Sequence, residues 1–575
     1  MDNTASSPKA LACAIAAHRF GLAQPRCADV GDDPRGWLLS QLAAAPAQRG
    51  TGLVSGAEGV RHYAEFLRQQ RQQRAVDTAA AAPVAGQNMA GAAGMAPGAG
   101  VNVRNNGAST NGAMVDGAMV ESSMVSSPTT PGTPGPGNVS TEQAFVAHFR
   151  QIASNDLRSR LGTAALSPQP LTERLALFWS NHFTVSVAKP SVRALAGAFE
   201  REAIRPHTGG SFETMLQAAV RHGAMLRYLD NENSAGPDSA VVRRLTRRAA
   251  ARPAGNETAA TEPAQQRAPR ITGLNENLAR EVLELHTLGV SGGGAAFGGW
   301  GHYTQADVTA FAAVLTGWRV PVGELLASPG ALSANTLASN ITSNIASTLA
   351  STPTSPSASR FDPSWHQPGP KTVLGKRYAE GPEALAELLR DLAQHPDTAR
   401  FVSYKLARHF IADEPAPALV AQLERAWLAS QGHLPAVLTA LVQAPQAWLP
   451  QQAKLKTPEE FVISTARLLG LGDTAFERAA DGGIGQLGQR VHGAPSPAGW
   501  SDRAADWLGP DAVWKRVEWA TRVADRTGRR VDARALAQDS LGPLLQPETA
   551  RQIDRAADGP QALALLLMAP EFQRR

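Results

Sequence analysis

The richest chemistry in the chain lies in residues 275–290, NENLAREVLELHTLGV. Wound at 100° per residue, Asn277, Arg280, Glu281 and Glu284 fall within about 100° of one another on one helix face. Leu278, Ala279, Val282, Leu283 and Leu285 cover the other side, and Gly289 is a natural terminator. Lining a cleft, Glu281 and Glu284 could ligate a divalent metal ion or work as an acid/base pair, with Arg280 holding an anionic group. The competing reading is a solvated face with ordinary ion pairs such as Arg280–Glu284 at i,i+4, and spacing alone favours it. His286 falls in the apolar arc of the last turn, where a core or capping histidine is expected.

Three further residues join the candidate metal ligands. His182 closes a helix within Trp179-Ser180-Asn181-His182-Phe183. Asp230 follows MLRYL in a loop with Asn231 and Asn233. His366 lies with Lys371 and Lys376 in the Pro- and Gly-punctuated FDPSWHQPGPKTVLGKRY. Oxygen donors in a loop suit a hard cation, and they suit Asx turns equally. Familiar signatures are missing: Glu284 and His286 are two apart, not three as in carboxylate-bridged di-iron bundles, and there is no His-Glu-x-x-His, Walker loop or nucleophile elbow. GGIGQLGQ at 482–489 has no strand before it, which speaks against a dinucleotide fingerprint. Arg243, Arg244, Arg247 and Arg248 cluster on one helix face without interleaved aromatics, as a solvated helix end does. Two cysteines, Cys13 and Cys27, are too few for a cysteine zinc site and read as ordinary thiols, although one disulfide between them stays open.

These residues need a scaffold, and the pattern points to helices. Thr457-Pro458-Glu459-Glu460 and Thr304-Gln305-Ala306-Asp307 read as capping boxes, the second ending at Gly317. Alternating β-branched runs are scarce; Thr184–Val187 and Thr372–Leu374 are the short candidates for strands. The expected class is all-α: a large irregular helical domain with two long low-complexity, disordered insertions. Hydrophobic residues make up 43% of the 575, enough for a real core. The folded parts are 1–75, 141–250, 271–322 and 360–575, expected to form one composite domain. Residues 76–140, with the near-repeat NGAMVDGAMV, and 325–359 are the insertions, because Ala, Gly, Ser, Thr and Pro bury too little to offset their ordering entropy. Residues 251–269 read as a basic linker. No apolar stretch approaches the roughly 20 residues of a membrane span. ALACAIAA at 10–17 is short for an export signal, which favours a cytoplasmic protein, with carriage alongside a signal-bearing partner left open. A net charge of +5 is weak over this length, so nucleic acid is not a favoured partner.

Several pieces together resemble a bacterial family known only as domain of unknown function 1800. They are AIAAHRFGL at 14–22, LTERLALFWSNHF at 171–183, MLRYLDNENSAGPDS at 225–239, NENLAREVLELHTLGV at 275–290 and YTQADVTAFAAVLTGW at 303–318. FDPSWHQPGPKTVLGK at 361–376, FVSYKLARHFIADEP at 401–415, LKTPEEFVISTARLLG at 455–470 and PSPAGWSD at 495–502 complete the set. The resemblance implies a mainly helical fold and no assigned reaction. Family members are often encoded beside proteins resembling sulfatases and alkaline phosphatases, which suggests such an enzyme as partner. Ala313 stands where the family pattern carries Arg, and a surface or ion-pair position is expected there. The favoured function is a binding or accessory protein docking that partner. The alternatives are a metal-assisted hydrolase using Glu281, Glu284, His182 and His366, and a binder of anionic polymers.

Overall fold

Helix punctuation written in the sequence is realised where it can be checked. Thr304 and Thr457 each accept a hydrogen bond from the backbone N–H three residues on, and Asp307 and Glu460 bond back, completing the boxes that open Gln305–Leu315 and Pro458–Leu468. Proline opens Pro34–Leu39, Pro170–His182, Pro396–Phe410, Pro417–Ala429 and Pro510–Thr527, where its missing N–H costs nothing. The computed structural model describes residues 8–80, 141–251, 273–294, 299–327 and 358–575. It is 63% helix and 3% strand, which makes the protein all-α. Two antiparallel pairs, Trp318–Arg319 with Arg360–Phe361 and Lys371–Val373 with Lys376–Tyr378, are the described sheets. Thr184–Val187 is not a strand; the Val187 N–H donates to the His492 carbonyl in a loop packing.

The expected disordered segments fall mostly outside the described residues. At their edges the boundaries shift. Gly56–Ala80 continues as helix through residue 80, Leu325 is buried in Val322–Ala327, and Ala358 is buried as well. Most of the basic linker, from 252 on, also lies outside the described residues.

The chain divides into two compact units, residues 1–68 with 145–575, and residues 69–144. In the second unit the described residues are the helical stretches 69–80 and 141–144. The first unit holds two large apolar clusters. One is built on Phe20, Trp179, Phe183, Phe212, Phe410 and Trp427, the other on Phe461, Trp519, Leu563 and Phe572. Each fully buried side chain of this size contributes roughly 1.5–3 kcal/mol.

Among the described residues, three helices contain a π-helical turn: Ala16–Phe20, Glu200–Ile204 and Val282–Thr287. A π turn widens the helix and displaces every later side chain from its α-helical bearing. Each of these turns carries a buried polar residue: His18 and Arg19, Glu200, and His286. Ala313 is a correction to the expectation of a surface position. It is buried in Gln305–Leu315, so the alanine is a packing residue there.

Candidate functional site

The stripe from 275–290 takes a different form from the one its α-helical wheel gives. The α-helix covers Asn277–Glu281 and gives way to the π turn Val282–Thr287. Asn277 is exposed, and Arg280, Glu281 and Glu284 are half-buried. Arg280 pairs with Glu276 one turn earlier, at 3.1 Å, and donates to Gln305, rather than pairing with Glu284. Glu276 is fixed for that role by hydrogen bonds from Thr309 and Gln305. Burial, reinforced by the neighbouring Glu284 carboxylate, raises the Glu281 pKa, while Arg280 opposes the rise.

The proposed metal ligands have separate surroundings. His182 is buried among Phe178, Trp179 and Phe183, with its Nε2 donating to the His286 carbonyl at 3.1 Å. His286 is completely buried and neither ring nitrogen has a hydrogen-bond partner; burial pulls its pKa down to about 3. Asp230 adopts a left-handed backbone conformation, φ +59°, and its carboxylate receives Lys189 at 2.6 Å. His366 is buried at the other side of Gly317, with Nδ1 on the Thr316 carbonyl at 2.7 Å and Nε2 facing Lys371 at 2.9 Å. Among the described residues no three His, Cys, Asp or Glu side chains are grouped as a metal site. Cys13 and Cys27 are unpaired and buried, and burial raises the Cys27 thiol to about 12, so it stays protonated.

A different set of residues does converge. A cavity of about 60 Å³ opens where the two apolar clusters meet, lined by Leu177 and Val491 of one and Phe178 and Val185 of the other. Its polar wall carries Arg160, Asn181, His409, Glu459, Glu460 and Asp502. At ~10–15 Å³ for each water, this is room for a few waters or one small reacting group. Four of the pieces that carry the family resemblance supply its lining: residues 171–183, 401–415, 455–470 and 495–502.

Asn181 makes the join. Its Nδ2 donates to the Trp500 carbonyl at 2.9 Å and its Oδ1 accepts from the Trp500 N–H at 2.8 Å, so one amide clamps both backbone groups of a residue 319 positions away. Gly499 permits this approach. Its φ is +82°, and a Cβ there would stand 2.5 Å from the Asn181 carbonyl. The clamp carries Asp502 to the cavity, where its carboxylate meets His409 Nδ1 at 3.1 Å. His409 Nε2 lies 3.8 Å from Glu460 and has no hydrogen-bond partner among the described residues.

The charges around this imidazole are fixed from behind. Glu460 is buried, yet Arg575 at 2.9 Å and Arg174 overcome the desolvation and hold it far below the usual carboxylate range. Burial would raise Asp502 too, but His409 and Lys454 bring it down to about 2. Burial lowers the His409 pKa despite pulls from Asp502 and Glu460, so the resting imidazole is neutral at pH 7. Glu459 goes the other way. Burial raises its pKa, Glu200 and Glu460 add to the rise, and Arg160 opposes it. Arg160 reaches Glu459 at 3.2 Å without hydrogen-bond geometry and spends its closer contact, 2.9 Å, on Glu200.

Residues 16–574 match the family described as Protein of unknown function (DUF1800). The chain belongs to that family. No curated protein and no solved structure matches it. Of the pieces that carry the DUF1800 resemblance, 275–290 is a half-exposed helix and four others line the His409 cavity. The cavity escaped the sequence reading because its residues are scattered over more than 300 positions. The one available signal was Glu459-Glu460, two adjacent carboxylates at a capped helix start, which reads as capping alone.

Proposed function

We propose that this protein is a hydrolase of the general acid–base type, with the His409 cavity as its reaction centre. One observation carries the reading: a neutral, buried imidazole held by Asp502 through Nδ1, with Nε2 uncommitted, on the wall of a cavity shared with Glu459, a carboxyl group whose pKa burial raises. Two titratable groups pushed in opposite directions are the pattern by which acid and base roles are divided at one pH. His409 Nε2 takes a proton from water as the water oxygen bonds to the substrate's electrophilic centre. Glu459 gives its proton to the departing group as that bond breaks, and exchange with solvent restores both. Asp502 and Glu460, both ionised, stabilise the imidazolium that forms, a contribution of the order of 10²–10⁴ in rate for each proton transfer assisted. No step draws on the 275–290 stripe or on a metal.

The docking role beside a sulfatase- or phosphatase-like enzyme rests on the family resemblance alone, and the acid–base reading has a geometric basis that it lacks. The test is a panel of chromogenic nitrophenyl acetate, glycosides and phosphate with the full chain, His409→Gln and Glu459→Gln. Turnover of one class with a bell-shaped pH profile, lost in both variants, is expected. The reading fails if no class is turned over faster than by His409→Gln, or if ¹⁵N NMR of the imidazole finds Nε2 protonated at pH 7.

A further inference from the structure

A second cleft, of about 520 Å³, lies along the helix Ala240–Ala250. The helix is docked by one face. Val241, Val242 and Leu245 pack with Ala235 against Trp365, and the Val241 N–H donates to the Ser364 carbonyl. That packing turns Arg243, Arg244, Arg247 and Arg248 outward into the cleft, where all four are exposed. None of their guanidinium groups has an ion pair or hydrogen bond among the described residues.

This arrangement is costly as it stands. Arg243/Arg247 and Arg244/Arg248 are like-charge pairs at i,i+4, which disfavour the helix that carries them. The two carboxylates of the cleft are committed elsewhere. Asp238 accepts from Gln367 at 3.0 Å, and Glu380 accepts from the Gly369 N–H at 2.6 Å. The floor is His366, backed by Lys371, whose ammonium burial lowers to about 8 and which is therefore still largely charged at neutral pH. Four free guanidinium groups face one open cleft, with the Lys371 ammonium behind its His366 floor.

We propose that this cleft binds a small oxyanion ester, a phosphate or sulfate monoester of a hydroxylated molecule. Guanidinium forks match the geometry of such groups with paired, charge-assisted hydrogen bonds. The volume falls in the ~300–1,000 Å³ range of small-molecule pockets. Each of Asp238 and Glu380, bonded through one oxygen, keeps its other oxygen as an acceptor for hydroxyl groups and would repel a continuous polyanion. The lining contains no Trp, Tyr or Phe side chain on which bases could stack, unlike single-strand nucleic-acid grooves. The site shares no residue with the His409 cavity, so it stands or falls separately from the hydrolase reading.

Titration calorimetry on the full chain tests it with a hexose 6-phosphate, the matching sulfate, the free hexose, inorganic phosphate and a 20-nucleotide single strand. One or both esters are expected to bind, with salt-sensitive affinity, at least tenfold more tightly than the free hexose or inorganic phosphate. Which ester binds distinguishes phosphate from sulfate. The double variant Arg243→Ala/Arg247→Ala is expected to lose at least tenfold in ester affinity. Because these side chains are exposed and repel each other, its thermal melting should be no lower than the parent's, which separates lost binding from lost folding. Failure of both esters to bind, equal binding of inorganic phosphate, tighter binding of the oligonucleotide, or full affinity in the double variant would each overturn the assignment.

Discussion

Replacing Asp502 by Asn removes a charge and little else, so its consequences can be worked out from the site. In the folded protein the carboxyl titrates at about 2 rather than its ordinary 3.8. At 1.36 kcal/mol per pKa unit, a shift of this size favours the ionised form on folding by roughly 2 kcal/mol. The side chain is 19% exposed, so screening by solvent takes only a modest part of this. The sign follows from linkage. The folded pKa lies below the unfolded one, so the contribution is complete above about pH 4 and fades as pH falls through the folded value near 2. Asp502→Asn should therefore unfold in urea with ~2 kcal/mol less stability than the parent at pH 7, the gap narrowing below pH 4. The same change puts an amide opposite His409 Nδ1. If the amide nitrogen faces the ring, the imidazole must take the other tautomer and Nε2 carries the proton, so hydrolytic kcat should fall by about 10²–10⁴. Equal stability of variant and parent at pH 7, with unchanged kcat, would refute both the pairing and the role given to His409.

Three other substitutions probe different supports. Glu460→Gln leaves Arg174 and Arg575 facing a neutral amide in the interior; a loss of roughly 3–5 kcal/mol in urea titration is expected, and a loss below 1 kcal/mol would show that the two guanidinium groups find other partners. Gly499→Ala forces a Cβ against the Asn181 carbonyl at positive φ; about 1–3 kcal/mol of destabilisation is expected, with faster amide exchange at Trp500 as the local readout. His286→Leu tests the unpartnered histidine. Its proton is taken up near 6.5 when unfolded and about 3 when folded, so the parent loses stability as pH falls across that window, by about 4–5 kcal/mol at the lower end. The leucine variant should show a flatter stability profile from pH 6.5 to 4, and an unchanged profile would mean that His286 is hydrated in solution.

Local rules were readable wherever local physics decides. Thr304 and Thr457 announce their helices because a cap needs only residues three apart. The all-α class follows from the scarcity of alternating runs. The 275–290 stripe was legible as a helix but not in its bearing. Nothing in VLELHT announces the π turn that takes Glu284 off its α-helical bearing, and Arg280 pairs with Glu276 rather than Glu284; the core position of His286 was legible from the apolar arc. The His409 cavity was not legible. Asn181 and Trp500, or Arg160 and Glu459, meet only because the whole unit folds, and no window of sequence contains both members. Glu460 shows the limit best: one carboxylate caps its own helix through the Thr457 N–H at 3.0 Å and anchors two arginines from distant segments.

The dispersed origin of the cavity wall has a practical consequence. Since residues near 160, 181, 409, 459 and 502 assemble only in the completed unit, any small molecule that seats there binds the native chain and has no counterpart in the unfolded one. Such a compound at a hundred times its dissociation constant raises unfolding free energy by about 2.7 kcal/mol. Differential scanning fluorimetry of a metabolite library, with His409→Gln as the counter-screen, is therefore a direct route from this fold to its substrate.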